Sequence, residues 1–125
     1  MTITELAREA HETNKSKGFV DDDINIDQKL LLAIGELVEA QNELRNGHAP
    51  TEIYYPLVDA GRAPNEAGHN YVPGSKPEGF PIEIADAMIR LAHLAEHLGI
   101  DLEGAIKLKM EYNKTRPFKH GGKRF

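Results

Sequence analysis

The chain has 125 residues, 20 acidic and 15 basic side chains, six histidines and no cysteine, for a net charge of −5. Without a thiol, disulfide scaffolds, thiolate zinc sites and cysteine nucleophiles are excluded. Aromatic residues make up 6 % and tryptophan is absent, which argues against a nucleic-acid stacking platform, so no nucleic-acid partner is expected.

A first helix is predicted from Thr2, which stands three residues before Glu5 in a capping-box pattern, to near Gly18. The same stretch lacks a charged segment followed by an apolar one, and no run in the chain approaches the roughly 18 apolar residues of a membrane span. A soluble, cytoplasmic protein with no membrane partner is therefore the expectation. A second helix has Asn25 or Asp27 as candidate N-cap and runs to Gly47, which suits the position just past a helix end.

Residues 47–80 hold five glycines and five prolines, a composition no helix survives, and Pro56 interrupts the one strand-like piece, IYYPLV. This long Gly/Pro-rich insertion reads as a lid, a binding loop or disorder, and no regular structure is assigned to it. A third helix is predicted to open at Pro81, a favoured first helical residue, and to end at Gly99. The fourth takes Asp101 as N-cap and continues to about Asn113, before Arg116-Pro117 closes it. Residues 107–125 carry seven bases against one acid, so 114–125 reads as a basic tail, either a solvated, partly disordered terminus or a clamp for an anionic ligand.

The fold class predicted is all-α, a single domain over 1–125 with four helices and the insertion between the second and third. Four helices of this length make a thin bundle with a small core, so association through helices is expected, with Leu31 and Ile89 as candidates because each projects away from its helix's main stripe; packing under the long insertion is the equal alternative for both.

Chemistry enters with the carboxylates. Glu36, Glu39 and Glu43 are spaced by three and four residues and share an arc of roughly 60°. Leu30, Ile34, Leu37, Val38 and Leu44 fall beside them and define the stripe predicted to be buried. On the third helix Glu83 and Asp86 share an arc of about 80° with Arg90, His93 and His97, opposite Ile84, Ala85, Met88, Leu91, Ala92, Ala95 and Leu98. If the two helices pack side by side, two acidic pairs converge, and at 4 to 6 Å they would repel by several kcal/mol per pair. They then need cations or protons, and oxygen-only ligands favour Mg²⁺, or Mn²⁺, over zinc.

Two competing patterns are weaker. Di-iron carboxylate bundles need Glu-x-x-His pairs on their helices, and no predicted helix carries one. His93-Leu94-Ala95-Glu96-His97 matches the H-x-x-E-H pattern of inverzincin proteases, and its spacing can hold zinc. A chain this short has little room for the further ligand and cleft, so these histidines read as a partly solvated face, with Arg90 or His97 alternatively reaching a phosphate.

Glu36-Leu-Val-Glu39, Glu83-Ile-Ala-Asp86 and LGIDLEGAIKLKMEYNKTRPFKHGGK, in that order, carry a family likeness. The chain resembles the MazG-type all-α nucleoside triphosphate pyrophosphohydrolases, marked by an ExxE pair, an ExxD pair and a Lys-x-x-x-Asn segment near the C-terminus. The likeness covers residues 28–46 and 79–123, and HETNKSKGF is similar to a phage and bacterial MazG-like branch. It implies a MazG-like four-helix bundle, Mg²⁺ bound by Glu36, Glu39, Glu83 and Asp86, and triphosphate or sugar contacts from Lys109, Asn113 and Arg116. It also implies a homodimer or homotetramer with nucleotide pockets at subunit contacts. Two features depart from the pattern: the 47–80 insertion lengthens the gap between the acidic pairs, and Ile34-Gly35 stands where an extra acid is frequent.

The chemistry implied is Mg²⁺-dependent attack of water on the α-phosphorus of a nucleoside triphosphate, giving nucleoside monophosphate and pyrophosphate, in nucleotide-pool control or clearance of aberrant nucleotides. Glu36 or Glu39 is the candidate acceptor of the water's proton; Lys109, Arg116 and Lys119 would offset charge on the phosphates, with Arg90 as a further phosphate contact. His11, Asn14, Lys17 and Phe19 are candidates for the base or sugar pocket. The rival reading is a non-catalytic helical partner-binding protein whose acids form only a solvated face.

Overall fold

A computed structural model describes residues 1–18, 24–56 and 74–117. Among them all regular structure is helical: α1 (Ile3–Ser16), α2 (Ile26–Arg45), α3 (Phe80–His97) and α4 (Leu102–Thr115). No helix among the described residues is long and apolar enough to cross a membrane.

The helix ends follow local chemistry. Thr2 Oγ1 accepts from the Glu5 amide, Asn25 Oδ1 from the Gln28 amide and Asp101 Oδ1 from the Gly104 amide, each at 3.0 Å. These three side chains satisfy amides that a helix start leaves orphaned. Asn25 is thus the cap of α2, and Asp27 lies in its first turn, where a negative charge meets the positive end of the helix dipole. Helix α3 ends where Gly99 turns to φ +71°, which lets the Ile100 amide bond back to the Ala95 carbonyl at 2.8 Å. Two boundaries differ from expectation: α3 starts one residue before Pro81, and α4 runs two residues past Asn113.

The described residues cluster in two compact units, 1–18 with 92–117 and 24–56 with 74–91, so α3 contributes its end to the first and its start to the second. In the first unit, Glu103 Oε1 accepts from the Ile3 amide at 3.1 Å, so the start of α4 holds the start of α1. Its buried residues are Ala7, Ala10, Ala92, His93, Leu94 and Ala95, whereas α4 buries none.

The second unit includes the insertion's ordered flanks. Tyr54 and Glu78 form an antiparallel bridge, amide to carbonyl at 2.9 and 2.8 Å. One residue on, Gly79 has φ +127°, and a Cβ there would stand 2.2 Å from the Glu52 carbonyl oxygen. Only glycine permits both that backbone conformation and that approach, and it sets the start of α3 against the chain near Glu52. The rest of the insertion, 57–73, lies outside the described residues.

Burial in this unit overturns one expectation. The side of α2 that is buried carries Ala33, Glu36 and Ala40, while Leu30, Ile34, Leu37, Val38 and Leu44 remain 41–53 % exposed. On α3, Ala87 and Glu83 are buried and Met88 and Leu91 are exposed. The stripe reading supposes that a helix turns its most apolar side toward its own chain. Here small residues and carboxylates occupy that position, and the large apolar side chains line an outer groove of about 400 Å³ between Leu30, Ile34, Leu37, Ile84, Met88 and Leu91. Leu31, at 65 %, and Ile89 are exposed too.

Candidate functional site

Helix α2 presents Glu36 and Glu39 one turn apart, and the first two turns of α3 present Glu83 and Asp86. Glu36 lies between Ala33 and Ala40 on the buried side, and Ala87 follows Glu83 by one turn. These methyl-sized neighbours leave space that larger residues would fill, so the carboxylates meet. One oxygen from each of Glu36, Glu39 and Glu83 falls within 4.8 Å of the other two. Glu36 and Glu83 are buried, Asp86 is half-buried, and Glu39 is exposed.

Three carboxylates this close cannot all stay ionised without help: each pair repels by about 3–4 kcal/mol at an effective dielectric near 20. The chain answers the repulsion in two ways. Arg90 Nε donates to Glu36 Oε1 at 2.8 Å. Burial pushes the Glu36 carboxyl up, but hydrogen bonds with Arg90, Glu83 and Glu39, together with the Arg90 charge, hold it below its ordinary value. Glu83 goes the other way. Burial, hydrogen bonds with Glu39 and Glu36, and the charges of Glu39 and Asp86 push its carboxyl up to about 8. Asp86 is also raised, by burial and by Glu36 and Glu39, against opposing pulls from Arg90 and Lys76.

Burial and its acidic neighbours thus favour the protonated form of Glu83, whose Oε2 is buried with no hydrogen-bond partner. An orphaned buried carboxyl oxygen beside two further carboxylates is what a hard divalent cation would satisfy while displacing that proton. An all-oxygen donor set fits Mg²⁺ or Mn²⁺ and offers zinc neither nitrogen nor sulfur. Glu36, Glu39 and Glu83 would hold the ion, with Asp86 next to them.

The other predicted site residues are distributed differently. Arg90 stands in the acidic cluster, paired with Glu36. Lys109, Asn113 and Arg116 are exposed on and just past α4, in the first unit; Lys109 Nζ lies 4.7 Å and the Arg116 guanidinium 5.9 Å from the Tyr112 ring centre. His11 and Asn14 are half-buried on α1, and Lys17 caps its end, its amide bonding to the carbonyls of Thr13 and Asn14. Lys119 and Phe19 lie outside the described residues. The solvated histidine face is corrected: His93 is 6 % exposed, stacked on His11.

A second polar cluster lies where α2 meets the insertion. His48 Nδ1 is 3.1 Å from Glu52 Oε2 and its Nε2 3.7 Å from Glu43 Oε2. The Tyr54 hydroxyl donates to the Glu43 carboxylate, 3.0 and 2.8 Å from its two oxygens, and its ring stacks on His48 at 4.5 Å. Burial, the hydrogen bond to Glu43 and the charges of Glu43, Glu78 and Glu52 raise the Tyr54 hydroxyl above its usual range. The four-residue step from His48 to Glu52 is visible in the chain; its closure by Tyr54 depends on the bridge to Glu78.

Compared with protein-family models, curated proteins and solved structures, the chain matches none.

Proposed function

We propose that the protein is a Mg²⁺-dependent nucleoside triphosphate pyrophosphohydrolase, cleaving at the α-phosphorus to give a nucleoside monophosphate and pyrophosphate. One observation carries the reading: oxygens of Glu36, Glu39 and Glu83, from helices separated by the insertion, lie within 4.8 Å of one another. An ExxE and an ExxD pair serving only as solvated surface would have no reason to bury Glu36 and Glu83.

Bound divalent cation would neutralise triphosphate charge and lower the pKa of the attacking water. The residues divide the remaining work. Glu36, kept ionised by Arg90, supplies a permanent negative ligand. Glu83, whose carboxyl is pushed up by burial and by its acidic neighbours, would exchange its proton for a bound cation. Glu39 is the exposed member and reaches solvent, so it is the one positioned to accept a proton from water. Lys109, Asn113 and Arg116 serve the phosphates and sugar on the family likeness, with the basic charge of residues 107–116 matching a polyanion.

The outer groove belongs to the same proposal. A second copy covers it, giving a homodimer or a dimer of dimers in which large apolar residues leave water together. The decisive assay incubates each ribo- and deoxyribonucleoside triphosphate with protein and Mg²⁺ and resolves the products. Monophosphate with pyrophosphate is expected; diphosphate with orthophosphate would contradict the cleavage position. Glu39→Gln and Asp86→Asn should each lower turnover at least about a hundredfold with helicity unchanged, and wild-type rates in either would remove the acids from the mechanism.

A further inference from the structure

Carboxylates gathered as closely as those of Glu36, Glu39 and Glu83 repel one another, so the helices that carry them must be held together. The buried neighbours of these acids are Ala33 and Ala40 on α2 and Ala87 on α3, which offer little contact area for that purpose, while the large apolar side chains of both helices are exposed. Two polar ties lie at opposite ends of the acids along α2. Arg90 Nε donates to Glu36 Oε1 at 2.8 Å at the earlier end. At the later end Glu43, one turn past Glu39, accepts from the Tyr54 hydroxyl, which lies 3.0 and 2.8 Å from its two oxygens.

Tyr54 joins that end of α2 to the start of α3. Its amide and carbonyl pair with Glu78 at 2.9 and 2.8 Å, Gly79 follows, and the Gly79 carbonyl accepts from the Glu83 amide at 3.1 Å. The path from Glu43 to Glu83 thus runs through hydrogen bonds and short lengths of backbone. His48 braces the tyrosine: its ring lies 4.5 Å from the Tyr54 ring at an interplanar angle of 10°, and its Nδ1 is 3.1 Å from Oε2 of Glu52, whose side chain is 2 % exposed. Burial, the bond to Glu43 and the charges of Glu43, Glu78 and Glu52 favour the protonated Tyr54 hydroxyl, so it stays a donor. Glu43, which shares the predicted face of Glu36 and Glu39, is thereby engaged outside the group whose oxygens lie within 4.8 Å.

We infer that Tyr54 is a positioning residue for the acidic cluster: through Glu43 on α2 and Glu78 before α3, it holds Glu83 at the separation from Glu36 and Glu39 that a shared divalent cation requires. The inference rests on the proposed metal-binding role of those acids and assigns Tyr54 no contact with metal or substrate. Mg²⁺ demands oxygen ligands at about 2.0–2.1 Å in near-ideal geometry, so a small displacement of one carboxylate is enough to lose a bond. The helices themselves are started by local caps at Asn25 and Asp101, which do not depend on this tie. Its loss therefore acts on metal binding before it acts on helix formation.

The test titrates the full chain with Mn²⁺ alone and follows the free ion by electron paramagnetic resonance. Tyr54→Phe keeps the ring stack on His48 and the backbone bridge and loses only the hydroxyl. It should weaken Mn²⁺ binding about tenfold, at a temperature where circular dichroism shows the helices intact. Glu43→Ala should do the same, and the two changes together should be no worse than either alone. Glu43→Gln, which keeps an acceptor for the hydroxyl, should retain most of the affinity. In triphosphate hydrolysis Tyr54→Phe should raise the Mg²⁺ concentration needed for half-maximal rate, with the rate at saturating Mg²⁺ within about twofold of wild type. Unchanged Mn²⁺ affinity in Tyr54→Phe, where Glu83→Gln is weakened, would overturn the positioning role and leave the metal site standing. Glu43→Gln as weak as Glu43→Ala would overturn it too, since Glu43 would then act through its charge. Undiminished binding in Glu83→Gln would remove the metal reading and this inference with it.

Discussion

Replacing Glu83 with glutamine separates what this residue does for folding from what it does for function. The carboxyl of Glu83 is pushed up to about 8 in the folded chain, against an ordinary 4.5. Below pH 4.5 both folded and unfolded chains hold the proton, and the group makes no difference. Between pH 4.5 and 8 the folded chain keeps a proton that the unfolded chain has lost. Stability therefore falls as pH rises through that window, by at most about 1.4 kcal/mol per pH unit and about 5 kcal/mol in all.

The amide of Glu83→Gln has the same shape and no charge. Urea unfolding of both proteins with chelator present, from pH 5 to 9, should give similar stabilities near pH 5 and a variant more stable by a few kcal/mol at pH 9. The same variant should lose triphosphate hydrolysis. Mg²⁺ at a hundred times its dissociation constant should stabilise the wild type by about 2.7 kcal/mol at pH 9 and the variant much less. A stability difference that does not change with pH would refute the reasoning, because it would mean that Glu83 is not protonated by its acidic neighbours.

Further consequences can be checked separately. Gly79→Ala forces a Cβ against the Glu52 carbonyl at a φ of +127° and should cost more than about 2 kcal/mol, read as a fall in Tm. Arg90→Met removes the donor that keeps Glu36 ionised; with Arg90 largely at the surface the stability loss should be about 1 kcal/mol, and the acid limb of the pH–rate profile should move to higher pH. Ile34→Asp places a charge in the outer groove and should convert the oligomer to monomers in sedimentation experiments, with a monomeric wild type refuting the proposed interface.

Helix positions are legible because they depend on residues close in sequence. Thr2, Asn25 and Asp101 cap locally, and Gly47 and Gly99 stop locally, so each signal stands within a few residues of its effect. The convergence of Glu36, Glu39 and Glu83 is legible for a related reason, since acids at helical spacing need only one packing event to meet; Asp86, the fourth expected ligand, stands outside the group whose oxygens lie within 4.8 Å. What the chain does not announce is set by long-range closure. Nothing near Tyr54 marks Glu78 as its partner, and nothing near His11 marks two histidines more than 80 residues away. The buried side of α2 differs from expectation because hydropathy ranks the bulk of Ile34 and Leu37 above Ala33 and Ala40, whereas close approach of carboxylates selects for small neighbours.

That inversion has a thermodynamic counterpart. Among the described residues no large side chain is fully buried; the interior is mainly alanine, with Leu94 and Tyr55, and it also holds Glu36, Glu52, Glu83 and His93. Alanine contributes little transfer free energy on burial, and buried acids oppose folding unless they are paired. The apolar side chains able to contribute about 1.5–3 kcal/mol each stand outside, around the groove. On the proposed reading the two deficits have separate remedies: a divalent ion relieves the acids, and a second copy takes the groove out of water. Each remedy binds the folded chain alone, so each should raise stability by linkage, and their effects should add if the ion and the interface touch different residues. Measuring Tm across a grid of Mg²⁺ and protein concentrations tests this. Independent upward shifts are expected, and no dependence on protein concentration would leave the exposed Leu30, Ile34, Leu37 and Met88 without the role assigned to them.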